Sequence, residues 1–213
     1  MSSNQIKELK DYLNEEIEWR IAELGIIKAN TTIKNLSERR KEVIIKYSVM
    51  AIYSLFEGFV VKSFQEYINQ INKKKIKRKE LNIKLITYHI DSKYKLNDKR
   101  SNRSSKESFV TELNNFFCKE EIELGRKIET QSNVNMKVLN NLLYSFNLES
   151  IENSDLEGKL NKLLMFRNSL AHGETSLRVD SELIQIFTDT VVRLMDLIND
   201  KIIEGIISEK YLA

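Results

Sequence analysis

Proline is absent from this chain of 213 residues, and only six residues are glycine. These two residue types interrupt helices more than any others, so a chain of this length with so few of them favours long helices joined by short polar loops. The same scarcity argues against a β fold with many turns. With 41% hydrophobic and 31% charged residues, the chain can also bury a core. We therefore expect an all-α protein that forms one domain over residues 1–213.

The spacing of apolar residues predicts six helices, because apolar side chains that recur every three or four residues fall on one helix face. Their approximate bounds are residues 4–29, 37–72, 106–127, 136–146, 154–172 and 181–207. The second is apolar on nearly every side between Val43 and Phe64, which places it in the middle of a bundle or at an interface. Ser37 and Ser154 occupy the positions of N-caps. Residues 81–90 fit either a short helix or a strand.

A strongly basic insertion, residues 73–107, separates the second and third long helices. It begins with six positive side chains in seven residues, namely Lys73, Lys74, Lys75, Lys77, Arg78 and Lys79. From residue 73 to residue 106 there are thirteen basic side chains and three acidic ones, so the remainder of a chain with formal net charge +3 is acidic. One interpretation is a solvated, mobile loop. The other is an electrostatic clamp for RNA phosphates, whose binding weakens steeply with salt.

Several functional classes are not supported by the sequence. The longest apolar run, Val49–Phe56, is too short to span a bilayer, and the first residues lack the basic-then-apolar order of a signal peptide. The single cysteine, Cys118, fits a reducing cytoplasm, and its neighbours Phe116 and Phe117 predict a buried thiol. The histidines and the cysteine show no zinc-ligand spacing, and no glycine-rich phosphate loop is present. We expect a cytoplasmic protein without membrane, metal or cofactor.

The helix over residues 154–172 carries the residues that point to chemistry. Arg167 lies within its apolar stripe, where a guanidinium is costly to bury without a partner. Asn168 and His172 are four residues apart, so they share a helix face and can form a hydrogen bond. Gly173 has the position just past a helix end, which places His172 at the C-terminus of the helix. This combination suits acid–base chemistry on a phosphodiester, with Arg167 stabilising the negative charge of the transition state.

A structural interpretation of Arg167 stands beside the catalytic one. Glu57 is also a charged residue on an apolar helix, and the two side chains could form a buried ion pair. Geometry adds a constraint, since the five-residue step from Arg167 to His172 turns them about 140° apart on an ideal helix. The two side chains of one chain therefore need not meet at one atom, whereas a site shared by two subunits across a two-fold axis removes this difficulty.

Residues 167–172 have the sequence Arg-Asn-Ser-Leu-Ala-His, and this segment resembles the R-x4-6-H signature of the HEPN superfamily. The resemblance extends over most of the chain. It is closest to stand-alone bacterial HEPN proteins related to the RiboL-PSP-HEPN group. Residues 19–20, 52–60, 131–135 and 210–212 also fall where such proteins have related segments. The ordered set of segments makes the resemblance more specific than the short motif alone.

The resemblance implies a HEPN-type helical bundle that forms a homodimer, in which two such motifs meet in a cleft. It also implies metal-independent RNA cleavage, with the ribose 2′-hydroxyl as nucleophile and a 2′,3′-cyclic phosphate as product. Arg167, Asn168 and His172 are the catalytic residues that it carries over, and Glu57 is a supporting residue that orients the motif. The partners that it implies are an RNA substrate and an antitoxin or another defence-system component.

Three functions are therefore open from the sequence. The first is an RNA endonuclease in toxin–antitoxin or anti-phage defence. The second is a catalytically silent HEPN module that binds RNA or a partner protein. The third is a structural dimerisation unit with no role in nucleic-acid chemistry. The third predicts a buried Arg167–Glu57 pair, with His172 closed off from solvent.

Overall fold

The computed structural model of the protein describes residues 3–94, 102–174 and 177–213. Seven α-helices and one short 3-10 helix, Arg78–Glu80, make up the regular structure of this part, and it contains no β-strand. The α-helices are α1 (Ser3–Thr31), α2 (Glu38–Asn72), α3 (Ile83–Tyr94), α4 (Arg103–Cys118), α5 (Met136–Ser145), α6 (Ser154–Ala171) and α7 (Ser181–Ile207). The predicted all-α class is confirmed.

α2 is the central helix of the bundle, and α1, α6 and α7 pack around it. Thirteen of its 35 residues are buried. Full burial of one large apolar side chain stabilises the fold by about 1.5–3 kcal/mol, and α2 supplies several of them. Its aromatic residues with no exposed surface are Tyr53, Phe56, Phe59, Phe64 and Tyr67. The central position predicted from the apolar run between Val43 and Phe64 is confirmed.

The bundle is built from two antiparallel helix pairs. In the first, Arg20 of α1 donates from Nε to the Leu55 carbonyl of α2 (3.0 Å). In the second, residues 172–180 join α6 to α7, and the rings of Phe166 and Phe187 pack edge to face with centroids 6.0 Å apart. The C-terminal end of α6 therefore lies beside the start of α7, against the middle of α2.

Among the described helices, α2 alone is long and apolar enough to cross a bilayer, judged by length and composition. The core helix of a bundle meets the same criterion, because both surroundings are apolar. Here α2 packs against three other helices. A cytoplasmic location without a membrane partner stays a prediction.

The helix predicted over residues 106–127 is wrong in its second half, because α4 ends at Cys118. The following backbone leaves the helix for partners elsewhere in the protein. The Asn72 side chain accepts from the Leu124 N–H (2.8 Å) and donates to the Leu124 carbonyl (2.9 Å). The prediction of a buried Cys118 is also wrong, since α4 buries none of its residues and the thiol is exposed.

Helix starts follow local side-chain chemistry. Asn153, and not the predicted Ser154, caps α6, because its Oδ1 accepts from the Leu156 N–H (3.0 Å). Ser37 precedes α2 as predicted but makes no capping hydrogen bond through its side chain. The helices predicted over residues 136–146 and 181–207 begin and end within one residue of those bounds.

The first part of the basic insertion folds against the C-terminus. Residues 81–90 fit a helix or a strand by sequence. From Ile83 onward they form the start of α3, while Leu81 forms an isolated antiparallel bridge with Leu212. Lys74 donates to the Tyr211 hydroxyl and lies 3.5 Å from the Glu209 carboxylate. The Asn82 N–H donates to the Tyr211 carbonyl (2.8 Å). Residues 95–101, which include Lys95, Lys99 and Arg100 of the basic insertion, lie outside the described residues.

Candidate active site

A Schellman motif ends α6 and fixes the position of His172. The Glu174 N–H donates to the Ser169 carbonyl (3.0 Å), and the Gly173 N–H donates to the Leu170 carbonyl (3.1 Å). Gly173 has a φ of +79°, in the left-handed region that glycine occupies at low cost after a helix end. His172 is the C-cap residue of α6, as predicted from Gly173.

Arg167 is half-buried against α2. Its guanidinium carbon lies 4.5 Å from the centroid of the Tyr53 ring, a cation–π contact. Nη1 donates to Asn168 Oδ1 (2.7 Å) and, at longer range, to Asn133 Oδ1 (3.4 Å). Asn168 Nδ2 donates to the same Asn133 oxygen (3.4 Å). The three polar side chains therefore form a closed triangle over an aromatic face.

Arg167 has no carboxylate partner among the described residues. Glu57, the acid expected beside it, accepts instead from Thr130 Oγ1 (2.7 Å). The Arg167–Glu57 ion pair that the structural interpretation predicts is therefore not formed in this part of the chain. Because neutral amides hold the guanidinium, its positive charge stays available to an anion.

Tyr53 lies between the two charged residues and is fully buried. Its hydroxyl accepts from the Val134 N–H (2.7 Å). Burial raises the pKa of Tyr53 to about 12; the Val134 hydrogen bond and the charge of Arg167 oppose this rise, and the charge of Glu57 adds to it. The phenol is therefore neutral at physiological pH, and Arg167 contacts an aromatic face and not a phenolate.

His172 lies at the surface. The predicted hydrogen bond between the Asn168 and His172 side chains does not form, because the Asn168 amide faces Arg167. The two residues share the helical bond from the His172 N–H to the Asn168 carbonyl (3.1 Å). The His172 imidazole makes no hydrogen bond with any described residue, so a ligand can reach it. A closed-off histidine, the second feature of the structural interpretation, is not found.

Sequence reasoning did not assign roles to three residues of this site, namely Asn133, Thr130 and Tyr53. Asn133 and Thr130 lie between α4 and α5, and Tyr53 lies in the middle of an apolar helix. A signal was available, since residues 131–135 and 52–60 both carry the family resemblance. That signal marked the segments without indicating which side chain meets Arg167.

The predicted RNA-binding cluster lies far from the motif. Lys73 follows the end of α2, and the twenty residues from Tyr53 to Lys73 correspond to about 30 Å along a helix axis. Three cations of the cluster have protein partners. Lys73 lies 3.5 Å from the Glu8 carboxylate, Lys74 contacts the C-terminus, and Arg78 lies 5.1 Å from the Phe117 ring. The other exposed cations in this turn are Lys75, Lys77 and Lys79.

Comparison with known proteins gives one family. The family model described as RiboL-PSP-HEPN matches residues 15–204. This range runs from the first half of α1 to the last turn of α7, and it includes the motif at residues 167–172. No curated protein and no solved structure matches the chain.

Proposed function

The chain belongs to the RiboL-PSP-HEPN family, and its domain is of the HEPN type; on that premise we propose that it is a metal-independent RNA endonuclease. The family suggests a nuclease or another RNA-related function, and the site chemistry supports the nuclease. The observation that carries the proposal is the environment of Arg167. Its guanidinium is half-buried and oriented, and no described carboxylate neutralises it.

In the proposed reaction, the ribose 2′-hydroxyl attacks the adjacent phosphorus and the 5′-oxygen of the next nucleotide leaves. The products are a 2′,3′-cyclic phosphate and a free 5′-hydroxyl. Arg167 stabilises the negative charge that develops on the phosphate oxygens. His172 supplies acid–base catalysis, which requires one group to take the 2′-hydroxyl proton and another to protonate the leaving oxygen. Asn168 orients Arg167 through the 2.7 Å hydrogen bond.

We propose that the site is shared by two subunits. Arg167 is turned inward onto Tyr53, while His172 is exposed at the helix end. A homodimer with a two-fold axis beside the motif would bring His172 of one subunit to Arg167 of the other and so form two equivalent sites. On α2, ten and six residues before Tyr53, Val43 and Tyr47 are 46% and 67% exposed. They lie four residues apart on one face of α2, and they give an apolar surface that a second copy can cover.

A second candidate is the catalytically silent RNA-binding module. One observation favours it: among the described residues no side chain orients the His172 imidazole, whereas a catalytic histidine is usually held by a third group. Arg167 would then bind phosphate without cleavage. Both candidates are compatible with a role in toxin–antitoxin or anti-phage defence, with an antitoxin or another defence component as partner.

The test is incubation of the purified protein with total tRNA and mRNA in EDTA, beside the His172→Ala and Arg167→Ala variants. EDTA chelates metal ions, so cleavage that persists in it is metal-independent. Within the described residues no group of three or more His, Cys, Asp or Glu side chains is placed to hold a metal ion. We expect cleavage that leaves 2′,3′-cyclic phosphate ends and that both substitutions abolish. Cleavage by both variants would exclude the nuclease proposal. RNA binding without cleavage would favour the silent module.

A further inference from the structure

We propose that Asn133 is a positioning residue, which holds Arg167 and Asn168 in their working orientation and leaves the charge of Arg167 intact. The inference rests on the proposed function, because this orientation matters for catalysis only if Arg167 binds the scissile phosphate. Asn133 Oδ1 lies 3.4 Å from Arg167 Nη1 and 3.4 Å from Asn168 Nδ2. A carbonyl oxygen has two lone pairs, so it can accept from both donors.

The segment that carries Asn133 is fastened to α2 on both sides of this residue. Before it, Thr130 Oγ1 donates to Glu57 Oε1 (2.7 Å). After it, the Val134 N–H donates to the Tyr53 hydroxyl (2.7 Å), and the Val134 side chain is fully buried. Glu57 and Tyr53 are four residues apart, so one face of α2 fixes both ends of the segment. Glu57 thus acts on the motif through this segment and not through a direct ion pair.

Between these anchors the backbone adopts an unfavourable conformation. Gln131 and Ser132 have φ angles of +54° and +53°, in the left-handed region that residues with a Cβ rarely occupy. Such strain persists only where surrounding contacts determine it, and it is concentrated at functional sites. Asn135 caps α5 by accepting from the Val138 N–H (2.8 Å). An N-cap does not require left-handed residues before it, so capping does not explain the conformation of Gln131 and Ser132. The strained turn sets the direction of the next side chain, the residue 133 amide.

A neutral acceptor at position 133 suits an arginine that has to bind phosphate. A carboxylate there would form a charge-assisted pair with the guanidinium and would compete with the substrate. With asparagine in place, Nε and Nη2 of Arg167 make no hydrogen bond with any described residue. One edge of the guanidinium therefore stays free for two phosphate oxygens.

The first test compares Asn133→Asp with Asn161→Asp, which adds the same charge to the exposed surface of α6. Asn133→Asp keeps an acceptor of the same shape, so its melting temperature should equal or exceed that of the wild type. We expect its kcat on RNA to fall by at least about tenfold, while that of Asn161→Asp stays within about twofold of the wild type. A kcat for Asn133→Asp within about twofold of the wild type overturns the inference, because aspartate satisfies a purely structural role equally well.

The second test does not depend on cleavage. In protein labelled with ¹⁵N-arginine, the order parameter of the Arg167 Nε–H bond measures how firmly the guanidinium is held. We expect a value above about 0.8 in the wild type and below about 0.6 in Asn133→Ala. An unchanged order parameter in Asn133→Ala overturns the inference. If the wild type cleaves no RNA and Asn133→Ala still loses order, the proposed function fails and the positioning role stands.

Discussion

At the scale of single residues, two arginines of the same core are stabilised in different ways. A buried guanidinium loses its water, and a structural one recovers the loss from a carboxylate. Arg20 is of this kind, since its Nη1 lies 2.6 Å from Glu16 Oε2. Arg167 has neutral amides and the ring of Tyr53 instead. This contrast favours a role in which a ligand compensates the charge of Arg167.

Two tyrosine-to-phenylalanine substitutions separate packing from hydrogen bonding. Tyr53→Phe keeps the ring beneath Arg167 but leaves the Val134 N–H without its acceptor, so we expect the free energy of unfolding to fall by about 1–3 kcal/mol. Tyr67→Phe is the control, because the buried Tyr67 hydroxyl has no hydrogen-bond partner among the described residues, and it should be close to neutral. Urea denaturation measures the free energy of unfolding of both variants. Equal losses in the two variants would contradict the role given to the Tyr53 hydroxyl.

The sequence predicted the residues of one part of the site, whereas for the other part it marked only the segments and not the side chains. Arg167, Asn168 and His172 lie within six residues, so helix periodicity alone places them at one helix end, as the structure has them. Asn133 and Tyr53 reach Arg167 from 34 and 114 positions away. Contacts over such separations depend on the tertiary fold, which the pattern of one sequence does not specify.

At the scale of elements, the predictions succeeded where apolar periodicity is strong and failed where backbone partners are distant. α5 and α7 have clear apolar faces and begin where the pattern predicts. The helix after residue 106 was extended too far because the apolar residues beyond Cys118 continue a helical spacing. There the Asn72 side chain, 52 positions away, forms hydrogen bonds with the Leu124 N–H and carbonyl, which therefore have no helical partners.

Gly173 controls the end of α6, and its substitution tests that element. In Gly173→Ala the added Cβ meets nothing within 4 Å, so the penalty comes from the left-handed backbone alone, about 1–2 kcal/mol. Asparagine tolerates this conformation better, and Gly173→Asn should recover part of the loss. If the helix end places His172 for catalysis, RNA cleavage should follow the same order, with alanine the slower variant. A Gly173→Ala protein as stable as the wild type would contradict this account.

The turn that follows α2 offers a prediction about RNA length. Its exposed cations Lys75, Lys77 and Lys79 lie about 30 Å from the motif, a separation that only an RNA of several nucleotides can span. Replacing all three by glutamine should weaken the binding of an RNA of about twenty nucleotides. The slope of the logarithm of the binding constant against the logarithm of the salt concentration should become shallower by about two. A trinucleotide should bind the variant and the wild type equally. Equal affinity for the long RNA would remove this turn from the RNA-binding surface.

At the scale of the whole molecule, buried tyrosines link the stability of the fold to alkaline pH. Burial raises the pKa of Tyr53 and Tyr88 to about 12, and it also raises the pKa of Tyr67 and Tyr211. An unfolded tyrosine loses its proton near pH 10, so above that pH the folded state holds more protons than the unfolded state. The contribution of these tyrosines to the free energy of unfolding is therefore complete below about pH 10 and is lost as pH rises toward 12. Urea denaturation between pH 8 and 12 should show this fall, and Tyr67→Phe should make it shallower.

The assembly itself determines whether Arg167 and His172 act within one subunit or across two. Arg167→Ala and His172→Ala should each be inactive, but a mixed dimer of the two variants has one subunit with an intact Arg167 and another with an intact His172. If the site draws on both subunits, statistical mixing after unfolding and refolding should restore about a quarter of wild-type cleavage, because half the dimers are mixed and each keeps one complete site. If each subunit contains its own site, mixing restores nothing.

Tyr47→Glu in both variants is the control, since a charge on the exposed face of α2 should prevent association and abolish the recovered activity. Recovery that persists with Tyr47→Glu would place the dimer contact on another face of the bundle.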